Sequence, residues 1–169
     1  MSLDDLDRLG LEHKSADKAL VAESYRMIGV TMLQPDFVLS QRVSDPSRLA
    51  DYISRLSNTL GESAKSHSSP VPAGGHIVVG VRPGGKSKVW LALEPPLPAP
   101  LANKLIMAAQ LVPPPQIKGG TVVFGMKVSF WGGAAEGVQP YPAQWRAIAK
   151  KHPQPIEAAN LADLAWGSR

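Results

Sequence analysis

Residues 76–93, HIVVGVRPGGKSKVWLAL, constrain the fold more than any other stretch of the chain. Ile77, Val79 and Val81 alternate with His76, Val78, Gly80 and Arg82. After Pro83, Gly84 and Gly85, the residues Val89, Leu91 and Leu93 alternate with Lys88, Trp90 and Ala92. A period of two on both sides of a Pro-Gly-Gly turn is the pattern of an antiparallel β-hairpin. The same stretch spells G-x-x-x-x-G-K-S from Gly80 to Ser87, the letters of a phosphate-binding P-loop.

A P-loop needs strand, loop and helix in that order, because its backbone N–H groups cradle phosphate at a helix mouth. Here KVWLALEPP follows the serine, alternates like a second strand and meets two prolines. A magnesium site also wants a second carboxylate after an apolar strand. The acids after Ser87 are Glu94, Glu136, Glu157 and Asp163, and the later apolar strand contains none of them. The string therefore reads as a hairpin tip. No G-x-S-x-G nucleophile elbow is present, and most acids lie on the polar sides of the N-terminal segments, where solvation is their ordinary role. The expectation is a non-enzymatic protein.

Composition narrows the class further. Sixteen prolines and fifteen glycines in 169 residues call for short, interrupted elements. The absence of cysteine excludes disulfides and thiolate sites. His13, His67, His76 and His152 lack ligand spacing, so neither a metal nor a cofactor is expected. No run approaches the ~18 apolar residues of a membrane span. The first residues, MSLDDLDRLG, are acidic and lack the basic and apolar regions of a signal peptide. A trimmed export signal would place the protein in the periplasm or cell envelope; otherwise the cytoplasm is expected. Residues 1–69 carry eight Lys/Arg against ten Asp/Glu, and residues 70–169 carry ten against four, a net of +6. The second half could attract an anionic partner.

Residues 3–33 read as helical, from their alanines and from Leu20, Tyr25, Met27, Ile28, Val30, Met32 and Leu33, with Pro35 as the stop. FVLSQRV, 37–43, reads as a short strand or a covering loop. Asp45 as cap and Pro46 at the first position introduce a helix with Leu49, Tyr52, Ile53, Leu56 and Leu60 on one face and Gly61 near its end. The organisation expected is a helical segment over 1–62, a Ser/Pro/Gly linker over 63–75, a β-β-α-β module over 76–133 and a partly ordered extension over 134–169. The fold class is α+β: a small antiparallel sheet, hairpin 76–93 plus strand 121–131, with a crossing helix over 100–111, packed by the N-terminal helices.

If the odd hairpin positions face a helix, the even ones share the other face. That face holds His76, Val78, Arg82, Lys86, Lys88 and Trp90, and Lys127 and Trp131 extend it. Arg82, Lys86, Lys88, Trp90, Lys127 and Trp131 are the candidate binding residues. Cations interleaved with tryptophan suit a peptide, an acidic surface or single-stranded nucleic acid. The competing reading is a sheet face covered by the N-terminal helices.

The segments GGHIVVGVRPGGKSKVWLAL, LANKLIMAAQLVPPP and KGGTVVFGMKVSFWGG give the order strand, turn, strand, helix, Pro-rich stop, Gly-Gly, strand. Over residues 75–133 this resembles the C-terminal domain of TonB and TolA-type envelope proteins. The chain has AAQLVPPP where that family has an aromatic-rich stretch, and SPVPAGG where it has a Tyr-Pro segment. The resemblance implies a small module, in the bacterial envelope, that offers a sheet edge to a partner segment by strand addition. The expected edge is 121–131, guarded by Lys127. Alternatively that edge is already paired, with FVLSQRV or with a second copy in a homodimer. The expected function is a protein-interaction module for a protein or peptide partner. The alternative is a binder of an anionic ligand or single-stranded nucleic acid through residues 76–90.

Overall fold

A computed structural model describes residues 24–67 and 71–167. The elements are β1 (Tyr25–Met32), α1 (Asp36–Arg42), α2 (Pro46–Lys65), β2 (Ala73–Arg82), β3 (Lys86–Glu94), α3 (Ala99–Gln110), β4 (Val122–Phe130), α4 (Ala143–Lys150) and α5 (Ala158–Trp166). The four strands form one antiparallel sheet in the order β1-β4-β2-β3. The α+β class, the hairpin, the crossing helix and the later strand are as expected from the sequence. Asp45 caps α2: its Oδ1 accepts from the Ser47 N–H at 3.1 Å and the Ser47 hydroxyl at 2.6 Å. In the hairpin, Arg82 lies opposite Lys86, and Gly84 and Gly85 turn at φ 92° and 75°, which a side chain would strain.

Four expectations are corrected. Residues 25–32 are a strand, not the end of a helix, because β4 offers them a ladder from Tyr25↔Phe130 to Met32↔Phe124, interrupted by one bulge; residues 3–23 of that expected helix lie outside the described residues. FVLSQRV is helical in α1, and Pro35 is its N-cap, not a stop to what precedes it. The helix α2 passes through Gly61 to Lys65 and buries Ala64, and Gly61 serves as a packing position, with Tyr25 3.3 Å from where a Cβ would stand. Most consequential, β4 is not an edge: β2 pairs with one side of it and β1 with the other.

The sheet is packed on both faces. On one, α2 and α3 bring Tyr52, Leu56, Leu60, Leu101 and Leu105 against Ile77, Val79, Val89, Phe124, Met126 and Phe130. Each large side chain buried this way contributes ~2 kcal/mol. On the other face, Val78, Trp90, Ala92 and Val123 are covered by Trp145, Ala159, Leu161 and Ala162. Those covering residues come from α4 and α5, so the extension expected to be partly ordered is a structural layer.

That layer reaches its place through close backbone approaches. A Cβ at Gly74 would run into the Ala134 carbonyl, and one at Gly133 into the Ala73 backbone. Gly29 has nothing within 4 Å of its would-be Cβ. Gly74→Ala is expected to cost ~3 kcal/mol or more, above the usual range for overpacking because backbone cannot swing aside. Gly29→Ala is expected to stay within ~1 kcal/mol of the parent. Urea denaturation of the two variants checks this contrast.

Candidate functional site: a covered face and two sheet edges

The six residues singled out in the sequence are not gathered on one open surface. Trp90 is only 5% exposed. Its ring meets Trp145 at 5.2 Å and Trp166 at 6.2 Å between centroids, both nearly edge-to-face, a favourable arrangement of ring quadrupoles. Gly80 makes the room: a Cβ there would stand 3.3 Å from the rings of both Trp90 and Trp166. The first glycine of the P-loop-like string is thus a packing position.

Arg82 is held by the C-terminal layer. Its guanidinium carbon lies 4.0 Å from the centroid of the Trp166 ring. Its Nε and Nη2 donate to Asp163 Oδ1 at 3.3 and 3.2 Å, and Nη2 donates to the Gly167 carbonyl at 2.9 Å. Asp163 Oδ1 also accepts from the Thr121 hydroxyl at 2.6 Å. Lys127 Nζ pairs with Glu136 Oε1 at 3.2 Å. Trp131 turns the other way at φ 52° and packs on the rim of the first core, 5.5 Å from Phe130. Lys86 is exposed at the hairpin tip and Lys88 is half-buried.

Beneath the C-terminal layer, His76 Nδ1, Trp90 Nε1 and Trp145 Nε1 are buried without a hydrogen-bond partner among the described residues. Burial, and then the neighbouring Lys127 ammonium, hold His76 below its ordinary pKa of 6.5. A polar group in such a place favours its neutral form. On the first face, burial pushes the Tyr52 hydroxyl up to about 12. No cluster of three or more His, Cys, Asp or Glu occurs among the described residues, and no described helix is long and apolar enough to cross a membrane.

With both faces covered, the sheet meets its surroundings at its edges. The outer edge of β3 is partly closed: the Val89 N–H donates to Gln110 Oε1 of α3 at 3.0 Å. Beyond that bond a groove of about 340 Å³ opens beside Leu91–Glu94, with Leu97 and Ala102 on one side and Val138, Ala143 and Arg146 among its other walls. The outer edge of β1 carries Met27, Ile28 and Val30, exposed by 36%, 42% and 39%. A bulge interrupts its register with β4 between Met27 and Gly29.

No family model, no curated protein and no solved structure matches the chain. The weight therefore rests on the geometry. Sequence reasoning missed the C-terminal cover and the β1 edge. A signal for the first was present: Trp145 and Ile148, then Leu161, Ala162, Ala165 and Trp166, recur at helical steps, and Trp90 stands on an otherwise polar face that needed a cover.

Two outcomes follow from these contacts. Asp163→Asn should cost about 1–2 kcal/mol, the loss of charge-assisted hydrogen bonds discounted for partial exposure, with an altered Trp166 fluorescence. In acid, the unfolded chain takes up a proton at His76 that the native one resists. Stability is therefore expected to rise with pH in the window below 6.5 and to fall towards acid. Urea midpoints measured from acid to neutral pH should show this slope, and it should flatten in His76→Gln.

Proposed function

We propose that this protein is a non-enzymatic interaction module that recognises an extended segment of a partner protein by adding it as a strand to the outer edge of β1, which is open among the described residues. The observation that carries the reading is the combination of two covered sheet faces with one apolar, half-exposed edge strand. A strand edge offers unpaired N–H and C=O groups, a ready template for another extended segment.

The direction of those groups follows from the ladder. The Leu33 N–H donates to the Val123 carbonyl at 3.1 Å, towards β4. Backbone direction alternates along a strand, so Thr31 and Gly29 also face β4, while Val30 and Met32 face outward. Arg26 is the single charge on β1, and the bulge limits the regular run to its second half. These features restrict pairing to a short segment, which favours a specific partner over open-ended aggregation. A homodimer through the same edge is the isologous version of this contact.

The resemblance to the TonB and TolA C-terminal domains points towards strand addition, and an envelope setting belongs to the reading through it alone. The P-loop-like string supports the non-enzymatic part, since it lies in a strand-turn-strand hairpin with Lys86 at the exposed tip. The anionic or nucleic-acid reading draws no support from a face on which Trp90 is buried and Arg82 and Lys127 are engaged.

Octapeptides displayed on phage and selected on the protein test this. Selected peptides are expected to alternate β-branched and polar residues. Val30→Pro removes an outward N–H and leaves the β4 ladder; it should weaken their binding at least tenfold, and Lys86→Ala should not. A selection that yields no peptide, or peptides indifferent to Val30→Pro, would refute the β1 edge as the recognition element.

A further inference from the structure

We infer a second recognition site, independent of β1: the groove at the end of β3 takes a short extended peptide whose apolar side chain is followed by a carboxylate. Since β1 and β3 are the opposite edges of the sheet, the two sites do not compete for the same backbone.

The floor of the groove is strand backbone. Because the Val89 N–H points out to Gln110, alternation turns the backbone of Leu91 and Leu93 outward as well. Neither has a partner on that side among the described residues. Gln110 covers only the first of these outward positions. The remaining four residues, Leu91 to Glu94, line a preformed space of about 340 Å³. An extended segment laid there forms the same ladder bonds that Gln110 imitates with its side chain.

The walls set the chemistry of the occupant. Leu97, Ala102, Val138 and Ala143 give the groove apolar walls that fit an apolar side chain. Arg146 is the cation among the lining residues. Its Nη1 donates to the Tyr141 carbonyl at 3.2 Å, which steadies the side chain and leaves the other guanidinium donors for a carboxylate. The wider charge agrees. Of the four acids in residues 70–169, Asp163 and Glu136 are paired to Arg82 and Lys127, and Glu94 lines the groove itself, so the ligand's carboxylate is assigned to Arg146. An acidic ligand therefore approaches a basic half-molecule.

The probe is a tetrapeptide, acetyl-Thr-Val-Thr-Val, with a free carboxylate, compared with its C-terminal amide. Amide shifts of the isotope-labelled protein are followed by NMR during titration. The free acid is expected to shift Leu91–Glu94, Ala102 and Val138, and the amide to bind at least tenfold more weakly. Arg146→Gln should equalise the two peptides, and Ala102→Trp, which fills the groove, should abolish the shifts. Equal binding of acid and amide to the parent protein would overturn the proposal, as would a free acid that leaves Leu91–Glu94 unmoved. Shifts gathered on Met27–Met32 would place the peptide on β1 and likewise overturn it. So would concentration-dependent shifts at Leu91–Glu94 without peptide, which would assign the groove to a second copy of this chain.

Discussion

The rest of the structure depends on the central strand pair β2–β4, which is buried on both faces. Val79 faces Phe124 across the ladder, and Ile77 faces Met126, with α2 and α3 above them. One residue along, Val78 and Val123 point to the opposite side. A strand pair of this kind cannot leave either face in water without exposing several large apolar side chains, at ~2 kcal/mol each. The chain must then supply two helical layers, and it does so in sequence order. The first layer comes from 46–65 and 99–110; the second comes from 143–150 and 158–166. The C-terminal extension follows from this requirement and is not an appendage.

Bringing the second layer over the sheet demands that backbone pass close to backbone. The Gly74 and Gly133 crossings satisfy that locally, and Gly80 gives the Trp90 and Trp166 rings a place to meet. The Arg82–Asp163–Thr121 contacts then fix the far end of α5 to the start of β4 and the end of β2. Small residues and one polar cluster thus convert an apolar requirement into a defined docking geometry. The cost is visible in His76 Nδ1, Trp90 Nε1 and Trp145 Nε1, buried without a partner among the described residues.

Much of this was legible in the sequence where local pattern and tertiary demand agree. The hairpin combined a period of two with a turn of fixed chemistry, and α2 combined a cap, a proline and an apolar stripe. Reading failed where they disagree. Met27, Ile28, Val30 and Met32 suit a helix or a strand equally, and only the vacant side of β4 decides between them. The near-continuous apolar run Val122–Phe130 was the available warning, since a strand exposed on one face alternates and one buried on both does not. What closes both edges of this strand is its pairing with β1 on one side and β2 on the other. The candidate residues Arg82, Lys127 and Trp90 were correctly placed off the first core, but their side of the sheet needed a cover that lay fifty residues or more from the hairpin along the chain.

On the proposed reading recognition falls to the edges, and the two edges are built differently. β1 has an open backbone among the described residues, interrupted by a bulge and bearing Arg26. β3 closes its position at Val89 with Gln110 and leaves the outward backbone of Leu91 and Leu93 beside a walled groove. An open edge recognises mainly through main-chain bonds and tolerates many sequences; a walled one adds side-chain fit and charge. Breadth of recognition should therefore belong to β1 and selectivity to β3. The letters G-V-R-P-G-G-K-S illustrate the same division within one motif: Gly80 packs tryptophans, Arg82 anchors a helix, Gly84 and Gly85 turn the chain, and Lys86 alone of the charged residues remains at the tip. A phosphate cradle needs those residues to act together at a helix mouth, whereas here each answers to a different neighbour.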